Sequence, residues 1–184
     1  MNKIKTALVI TAMLCSAFPL MAQRQRTSPH ETISSKIDGN RVTIVYGRPY
    51  SANPKNKEEI RKIWGGLVPY DKRWRMGADE ATLLITQQPI DLGGTTVPAG
   101  AYTLFMMPSE NGTSKLLLNK QVGQWGIDPY NEQSELAQID LKKDALDNQV
   151  DQFTIAIEKN PAGGGILKFT WEKTQFSVPF SVKK

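Results

Sequence analysis

The stretch that decides the fold is residues 33–46, ISSKIDGNRVTIVY. Apolar side chains recur at every second position on both sides of Asp38-Gly39-Asn40. These apolar positions are Ile33, Ile37, Val42, Ile44 and Tyr46. A two-residue period is typical of strands that bury one face, and an Asp-Gly pair between two such runs signals a tight turn. The stretch therefore predicts two antiparallel strands joined by a hairpin.

The same alternation continues along most of the chain. It recurs, between turns rich in Gly and Pro, at 82–86, 90–92, 95–97, 102–107, 115–119, 137–141, 153–157, 167–171 and 176–182. Nine or ten short strands of this kind predict an all-β domain, an antiparallel two-sheet β-sandwich of the immunoglobulin-like or jelly-roll-like type. A helical pattern is present from Lys57 to Trp64, and we expect one short helix of about two turns there.

Two turns carry further structural expectations. The run Pro98-Ala99-Gly100-Ala101-Tyr102 resembles the entry into a strand of immunoglobulin-like domains, where a tyrosine hydroxyl ties a corner back to the backbone. We therefore expect a structural role for Tyr102. Gly163-Gly164-Gly165 lies between two predicted strands rather than before a helix, so it predicts a hairpin turn and not a phosphate-binding loop.

The first 22 residues have the features of a cleavable secretory signal. Lys3 and Lys5 precede an apolar run over residues 6–20, and Ala22 supplies a small residue at the cleavage position. Cleavage would leave residues 23–184 as a single domain in the periplasm or outside the cell. We expect no integral membrane segment after cleavage, because no second apolar run reaches the length of a membrane span.

The single cysteine, Cys15, lies within this leader. Its removal would leave a domain with no disulfide, no thiolate nucleophile and no cysteine metal ligand. The alternative is a lipoprotein signal in which Cys15 carries the lipid. The residue before a lipidated cysteine should be small, and Leu14 is not. A periplasmic or secreted protein is therefore the main expectation.

Charge and histidine content limit the possible partners. The formal net charge of +5 falls to about +3 when two of the 23 basic residues leave with the signal. The remaining basic residues are scattered, which argues against a nucleic-acid partner. One histidine, His30, excludes a zinc site built on several histidines. A calcium site near Asp128 or over 140–151 stays open, although the spacing fits no known loop. We therefore expect neither a cofactor nor a metal.

The alternation fails between Arg48 and Thr82, where Trp, Tyr, Arg and Gly are concentrated. So long a connection in a compact domain is usually functional or disordered, and its many aromatic residues favour an ordered loop. The loop predicts a site for a small molecule, a glycan or a protein partner. Its candidate ligand-binding residues are Arg48, Trp74, Arg75, Asp79 and Glu80.

Each of these candidates also has a purely structural interpretation. The guanidinium groups of Arg48 and Arg75 could together bind a carboxylate or phosphate. Alternatively, they could fix the loop in place through salt bridges. Trp74 could stack on a flat ligand or plug the end of the core. Glu80 could be the general acid or base of an envelope hydrolase. Asp79 and Glu80 are not expected to act as a pair, since neighbours on an extended chain point to opposite faces. Whether the protein is an enzyme stays open.

A set of short motifs resembles the exported bacterial family catalogued as domain of unknown function 2911. The motifs are Ser28-Pro29, Tyr46-Gly47-Arg48-Pro49, Ile63-Trp64-Gly65, Leu67-Val68-Pro69-Tyr70, Trp74-Arg75-Met76-Gly77-Ala78, Glu80-Ala81-Thr82, Pro98-Ala99-Gly100-Ala101-Tyr102-Thr103-Leu104-Phe105, Pro108 and Trp171-Glu172. The resemblance runs from about Ser28 to Val182 and implies a secreted or periplasmic β domain with no particular activity. The chain departs from it at Asp79, where the family pattern has Asn, and in a charged insertion over 55–61.

Overall fold

The computed structural model describes residues 26–183, and these residues form an all-β protein. The predicted leader, residues 1–22 with Cys15, lies outside the described residues. The strands are β1 (His30–Ile37), β2 (Asn40–Gly47), β3 (Ala52–Asn53), β4 (Asn56–Ile60), β5 (Thr82–Thr86), β6 (Ile90–Leu92), β7 (Thr95–Val97), β8 (Gly100–Met107), β9 (Lys115–Asn119), β10 (Glu135–Asp140), β11 (Lys142–Lys159) and β12 (Gly165–Val182). A one-turn 3₁₀ helix at Glu132–Ser134 precedes β10. No helix in the described part of the chain is long and apolar enough to cross a membrane.

Antiparallel pairing assembles these strands into two main sheets. One sheet has six strands in the order β1-β2-β5-β8-β9-β10, and the other has four in the order β11-β12-β6-β7. A small third sheet consists of β3 and β4. In the first hairpin, Ile33 lies opposite Ile44 and Ile37 lies opposite Asn40. The predicted hairpin at Asp38 is therefore confirmed, and so is the antiparallel sandwich.

A single apolar core joins the inner faces of the two main sheets. Ile44 and Leu104 belong to the six-stranded sheet and are fully buried, while Phe169 and Trp171 on β12 face them from the other sheet. Every second residue is buried in β2, and in β12 from Gly165 to Trp171 and again from Phe176 to Phe180. Burial of apolar area at about 25 cal/mol per Å² makes this core the main source of stability.

The two predicted turn features are also confirmed. The Tyr102 hydroxyl donates a hydrogen bond to the Pro98 carbonyl oxygen at 3.0 Å, which closes the corner before β8. Residues 160–164 connect β11 to β12, with the Gly163 amide donating to the Asn160 carbonyl oxygen at 2.9 Å. Gly163 has a φ of 104°, a backbone conformation that favours glycine.

The predicted helix from Lys57 to Trp64 is wrong, because β4 begins the segment and pairs with β3. All five residues of β4, Ile60 included, are exposed, whereas Ile63 and Trp64 pack on the core, so the apolar residues of the pattern are not buried together as one helix face. Turn chemistry acts instead, since the Asn53 side chain accepts a hydrogen bond from the Lys55 amide at 3.0 Å.

The described residues form twelve strands instead of the predicted nine or ten. The two runs predicted over 167–171 and 176–182 form one 18-residue strand, β12. Pairing with β11 is irregular around Glu172, whose φ is 51°. This irregularity re-aims the strand without ending it, as a bulge does, so two alternating runs belong to one strand.

Candidate functional site

The connection between β4 and β5, residues 61–81, is an ordered loop attached to the ends of two strands. Trp74 and Met106 exchange backbone hydrogen bonds of 2.8 Å in both directions, which attaches the loop to β8. The Ala78 amide donates to the Gly47 carbonyl oxygen at 3.3 Å, which attaches it to β2. The loop is therefore a fixed part of the sandwich.

The loop approaches β2 so closely that glycine is required on both sides. A Cβ atom on Gly47 would lie 2.2 Å from the Ala78 carbonyl oxygen, and one on Gly77 would lie 2.7 Å from the Gly47 carbonyl oxygen. Real Cβ contacts are not this short. The absence of a side chain at these two glycines therefore allows the loop to pack this close to β2.

Two further contacts fix the backbone around Arg75. The Thr82 amide donates to the Arg75 carbonyl oxygen at 3.1 Å, and the Thr82 hydroxyl donates to the Met76 carbonyl oxygen at 2.6 Å. Met76 and Asp79 both have left-handed backbones, with φ of 56° and 63°. Asp tolerates this conformation better than most residues. The tight turn thus fixes the backbone from which both Arg75 and Asp79 project.

A cavity of about 700 Å³ lies beside this loop. Its volume is within the range of small-molecule sites. Its wall is formed by the loop, the chain before β1, the β3–β4 hairpin and β12. The lining residues used below are Lys57, Arg61, Leu67, Pro69, Arg73, Trp74, Arg75, Asp79, Ile127 and Trp171.

Arg75 is the unusual residue of this cavity. Its Nε atom is buried and has no hydrogen-bond partner, and its guanidinium makes no ion pair within residues 26–183. Arg75 as a whole is half-buried and lines the cavity. Burial lowers the pKa of Arg75, and the charge of Asp79 partly opposes this shift. A buried, unpaired guanidinium is costly unless an anion meets it.

The other cationic residues of the cavity differ in how far they are already engaged. Arg73 lies 3.3 Å from a Glu132 carboxylate oxygen and 4.1 Å from the centre of the Tyr130 ring. Arg61 donates to backbone carbonyl oxygens at the end of the hairpin. Lys57 is exposed on β4 and contacts no carboxylate in the described part of the chain. Arg75 and Lys57 therefore carry the charges available to a ligand.

Asp79 lines the same cavity and lies four residues from Arg75. It is too far from Arg75 for an ion pair, yet near enough for its charge to raise the pKa of Arg75. Its Oδ2 atom lies 3.3 Å from His30 Nε2, and 24% of its side chain is exposed. The cavity therefore holds two opposite charges that are not joined to each other.

Trp74 is mainly a core residue and borders the cavity at one edge. It is 6% exposed. Its ring stacks on Trp171, with centroids 5.8 Å apart and planes at 22°. It also meets the edges of Phe153 at 4.9 Å and Trp64 at 5.9 Å. This position corresponds to the plug of the core that the sequence left as one of two possibilities.

Arg48 does not line the cavity. Its Nη2 atom donates to the Thr154 hydroxyl at 2.9 Å, its Nε to the Phe153 carbonyl oxygen at 3.3 Å, and its Nη1 lies 3.1 Å from a Glu31 carboxylate oxygen. These contacts join the end of β2 to β11. Arg48 therefore lies outside the cavity that Arg75 lines. Its contacts are those expected of a residue that holds the structure together.

Glu80 also lies outside the cavity, where Arg26 donates hydrogen bonds of 2.5 Å to both of its carboxylate oxygens. The expectation that Asp79 and Glu80 diverge is wrong. Their carboxylates and the His30 ring have ligand-capable atoms within 4.8 Å of one another. The left-handed backbone of Asp79 removes the alternation that an extended chain would impose. His30 contributes to this group from the first residue of β1.

This cluster of His30, Asp79 and Glu80 has the donor types of a divalent-cation site. The guanidinium of Arg26 already lies against it, 2.6 Å from His30 Nε2 and 2.5 Å from Glu80 Oε2. Arg26 thus offsets one of the two carboxylate charges of the group, that of Glu80, and a metal ion would have to displace it. The contact instead fastens the chain before β1 to the loop.

The contact between Arg26 and Glu80 predicts a pH dependence of stability. Hydrogen bonds from Arg26 lower the pKa of Glu80 below its ordinary value of 4.5. The contact therefore stabilises the fold above the pKa of the unfolded chain, and the contribution is lost as the pH falls through the lower folded pKa. We expect Glu80→Gln to be slightly less stable than wild type at pH 7 in urea unfolding, and the difference to shrink below pH 4.5. A difference that widened toward low pH would contradict this assignment.

Several residues of the site escaped the sequence analysis. Lys57 and Arg61 lie in the segment predicted as a helix and in the charged insertion over 55–61. Neither pattern indicates that these residues line a cavity. Around Trp171 the sequence shows only the alternation that is typical of a core strand. Arg26 meets Glu80 across 54 residues of sequence, and nothing local could have indicated that contact. The Ser28-Pro29 motif was the one available signal that the chain before β1 belongs to the site, since Ser28 lines the cavity.

Fold and cavity together define a β-sandwich protein with an arginine-bearing cavity beside one ordered loop. Residues 28–180 match the family described as Protein of unknown function (DUF2911), and the chain belongs to that family. The sequence resemblance is therefore confirmed. Comparison with curated proteins and with solved structures gives no significant match.

Proposed function

We propose that this protein is a binding module, and that its ligand is a small molecule whose carboxylate pairs with Arg75 inside the cavity. The observation that carries the proposal is the half-buried guanidinium of Arg75, whose buried Nε has no hydrogen-bond partner and which makes no ion pair among residues 26–183. Arg presents a planar fork that suits a carboxylate, and such charge-assisted contacts are strong where water is excluded. A cation kept unpaired at a cost in stability is well explained by a ligand that pairs with it.

The surroundings of Arg75 favour one small anionic group over a polyanion. Asp79 adds a negative charge to the same wall, which would oppose a dianion such as phosphate. Trp74 and Trp171 supply apolar surface next to the guanidinium. A carboxylate attached to an apolar body satisfies both features, because ligand sites combine apolar walls with a few placed polar groups.

The alternative function, an envelope hydrolase that uses Glu80 as general acid or base, has less support. A general acid needs a raised pKa, whereas Arg26 engages both oxygens of Glu80 and lowers its pKa. Glu80 also lies outside the cavity that Arg75 lines; it borders a second cavity of about 550 Å³ together with Arg26 and His30. We therefore place the binding module first.

We also propose that the module acts outside the cytoplasm, on the strength of the leader features of residues 1–22. Periplasmic or secreted protein isolated from cells should then begin at Gln23. Mass spectrometry of that protein would show a lipid instead if the Cys15 alternative were correct.

Calorimetric titration with 3-phenylpropionate tests the proposed function. Wild type should bind this carboxylate at least about tenfold more tightly than the neutral 3-phenylpropionamide, because the amide leaves the guanidinium unpaired. Arg75→Met should abolish the preference for the carboxylate. Its thermal stability should be unchanged or higher than that of wild type, because the substitution removes an uncompensated charge.

Arg41→Met is the matched control, since Arg41 is an exposed residue of β2 away from the cavity. It should bind 3-phenylpropionate as wild type does. The proposal fails if the carboxylate and the amide bind equally, or if neither binds. It also fails if Arg75→Met unfolds the protein, because Arg75 would then be a structural lock.

A further inference from the structure

The cavity contains a cation and an anion that are placed to be bridged by one ligand. Arg75 and Asp79 both line it, and both project from the same rigid turn. They interact through space but form no ion pair with each other. Asp79 makes no ion pair with an arginine or lysine among residues 26–183. Its Oδ2 atom lies 3.3 Å from His30 Nε2. Each charge therefore remains available to a group on a ligand.

The wall next to these charges is apolar. Trp74 and Trp171 form the inner part, and loop residues complete the surface. The apolar side chains used here are Leu67, Pro69, Trp74, Ile127 and Trp171. Leu67 is half-exposed, at 46%. The cavity thus has a charged end and an apolar wall.

We infer that the ligand is an α-amino acid with a large apolar side chain, its carboxylate on Arg75, its ammonium group on Asp79 and its side chain along the tryptophan wall. This inference rests on the proposed function and names the class of ligand at the same site. In an α-amino acid the two charged groups are attached to one carbon. Such a head group spans two opposite protein charges that are close together but not joined, as here.

The arrangement also explains why a simple carboxylate is not the best occupant. A carboxylate alone would pair with Arg75 and leave Asp79 facing the ligand with its charge uncompensated. An amine alone would pair with Asp79 and leave the Arg75 guanidinium, whose buried Nε already lacks a partner, without a counter-ion. At Arg75 a phosphate would bring a second negative charge close to the Asp79 carboxylate, while the other available cation of the cavity, Lys57, lies on β4.

The test compares three probes that share one phenyl side chain, titrated at pH 7. L-phenylalanine should bind at least about tenfold more tightly than 3-phenylpropionate, which lacks the ammonium group. 2-Phenylethylamine, which lacks the carboxylate, should bind most weakly. In Asp79→Asn the advantage of L-phenylalanine over 3-phenylpropionate should disappear, while 3-phenylpropionate binds as well as in wild type or better.

The Asp79→Asn variant should keep its fold, because Asn adopts the left-handed backbone as readily as Asp does. Asp71→Asn is the matched control: Asp71 also has a left-handed backbone, with φ of 56°, but is exposed and does not line the cavity. It should keep the wild-type preference for L-phenylalanine.

The outcomes separate this inference from the proposed function. If 3-phenylpropionate binds through Arg75 and L-phenylalanine binds no better, the amino-acid inference is wrong and the carboxylate-binding function stands. If none of the three probes binds, both are wrong. A preference for L-phenylalanine that survives in Asp79→Asn would also overturn the inference, because the ammonium group would then contact something else.

Discussion

Replacing Trp74 by alanine is expected to lower the free energy of unfolding by about 3–5 kcal/mol, the usual cost of removing a large buried aromatic side chain. Trp74 stacks on Trp171 and contacts Phe153 and Trp64 edge-on. Its removal would leave a cavity in the middle of this aromatic cluster, which the surrounding strands cannot close. Urea unfolding monitored by circular dichroism measures the change.

Trp125→Ala is the matched control for this prediction. Trp125 is the same residue type but is 63% exposed, and its ring contact is with Arg26 at 5.9 Å. Its removal should change stability far less. A loss for Trp74→Ala as small as that for the exposed Trp125→Ala would show that Trp74 does not stabilise the core, and would favour its role as a platform for a ligand.

Gly47→Ala is expected to cost about 1–3 kcal/mol or more, as overpacking against rigid atoms does. The added methyl would lie 2.2 Å from the Ala78 carbonyl oxygen, and backbone atoms cannot give way as a flexible side chain can. The loop must therefore move off the end of β2. Because Arg75 and Asp79 project from this loop, folded Gly47→Ala protein should also bind 3-phenylpropionate more weakly than wild type.

Gly112→Ala tests whether that cost comes from the close approach or from losing any glycine. Gly112 lies in the exposed turn between β8 and β9, and its added Cβ would meet only the Ser109 side chain, at 3.0 Å from the hydroxyl oxygen. Ser109 can rotate away, so the change in thermal stability should be small. A Gly47→Ala variant as stable as Gly112→Ala would mean that the loop is not seated where the structure has it.

Trp74 and Arg75 illustrate how closely structure and proposed function are combined in this protein. The first of these neighbours is packed into the aromatic core, and the second opens into the cavity. The backbone exchange between Trp74 and Met106 holds both in place. A substitution at either position therefore has to be tested for folding and for binding separately, since a loss of binding alone would not distinguish them.

Predictability from sequence varied with the range of the interactions involved. The first hairpin, the Tyr102 corner and the turn at 163–165 were predictable, because each depends on residues a few positions apart. The helix over 57–64 was wrongly predicted, because its first residues pair with β3 and only Ile63 and Trp64 of its apolar residues pack on the core. The sequence did not predict that the Asp79 and Glu80 carboxylates lie close together. Their proximity depends on the left-handed backbone of Asp79, and an Asp in the sequence does not by itself indicate that conformation.

By itself, then, the sequence determined the strand class, the main turns, the family and the loop in which the candidate site would lie. Alternation and turn chemistry are local, so they can be read directly from residues such as Ile33 to Tyr46. Only the tertiary structure decided which loop residues face the core, which face the cavity, and which charges remain unpaired. Arg48 is engaged by β11, Glu80 by Arg26, and Arg75 by neither. Those partners are brought together by the packing of distant strands, which no short segment of sequence encodes.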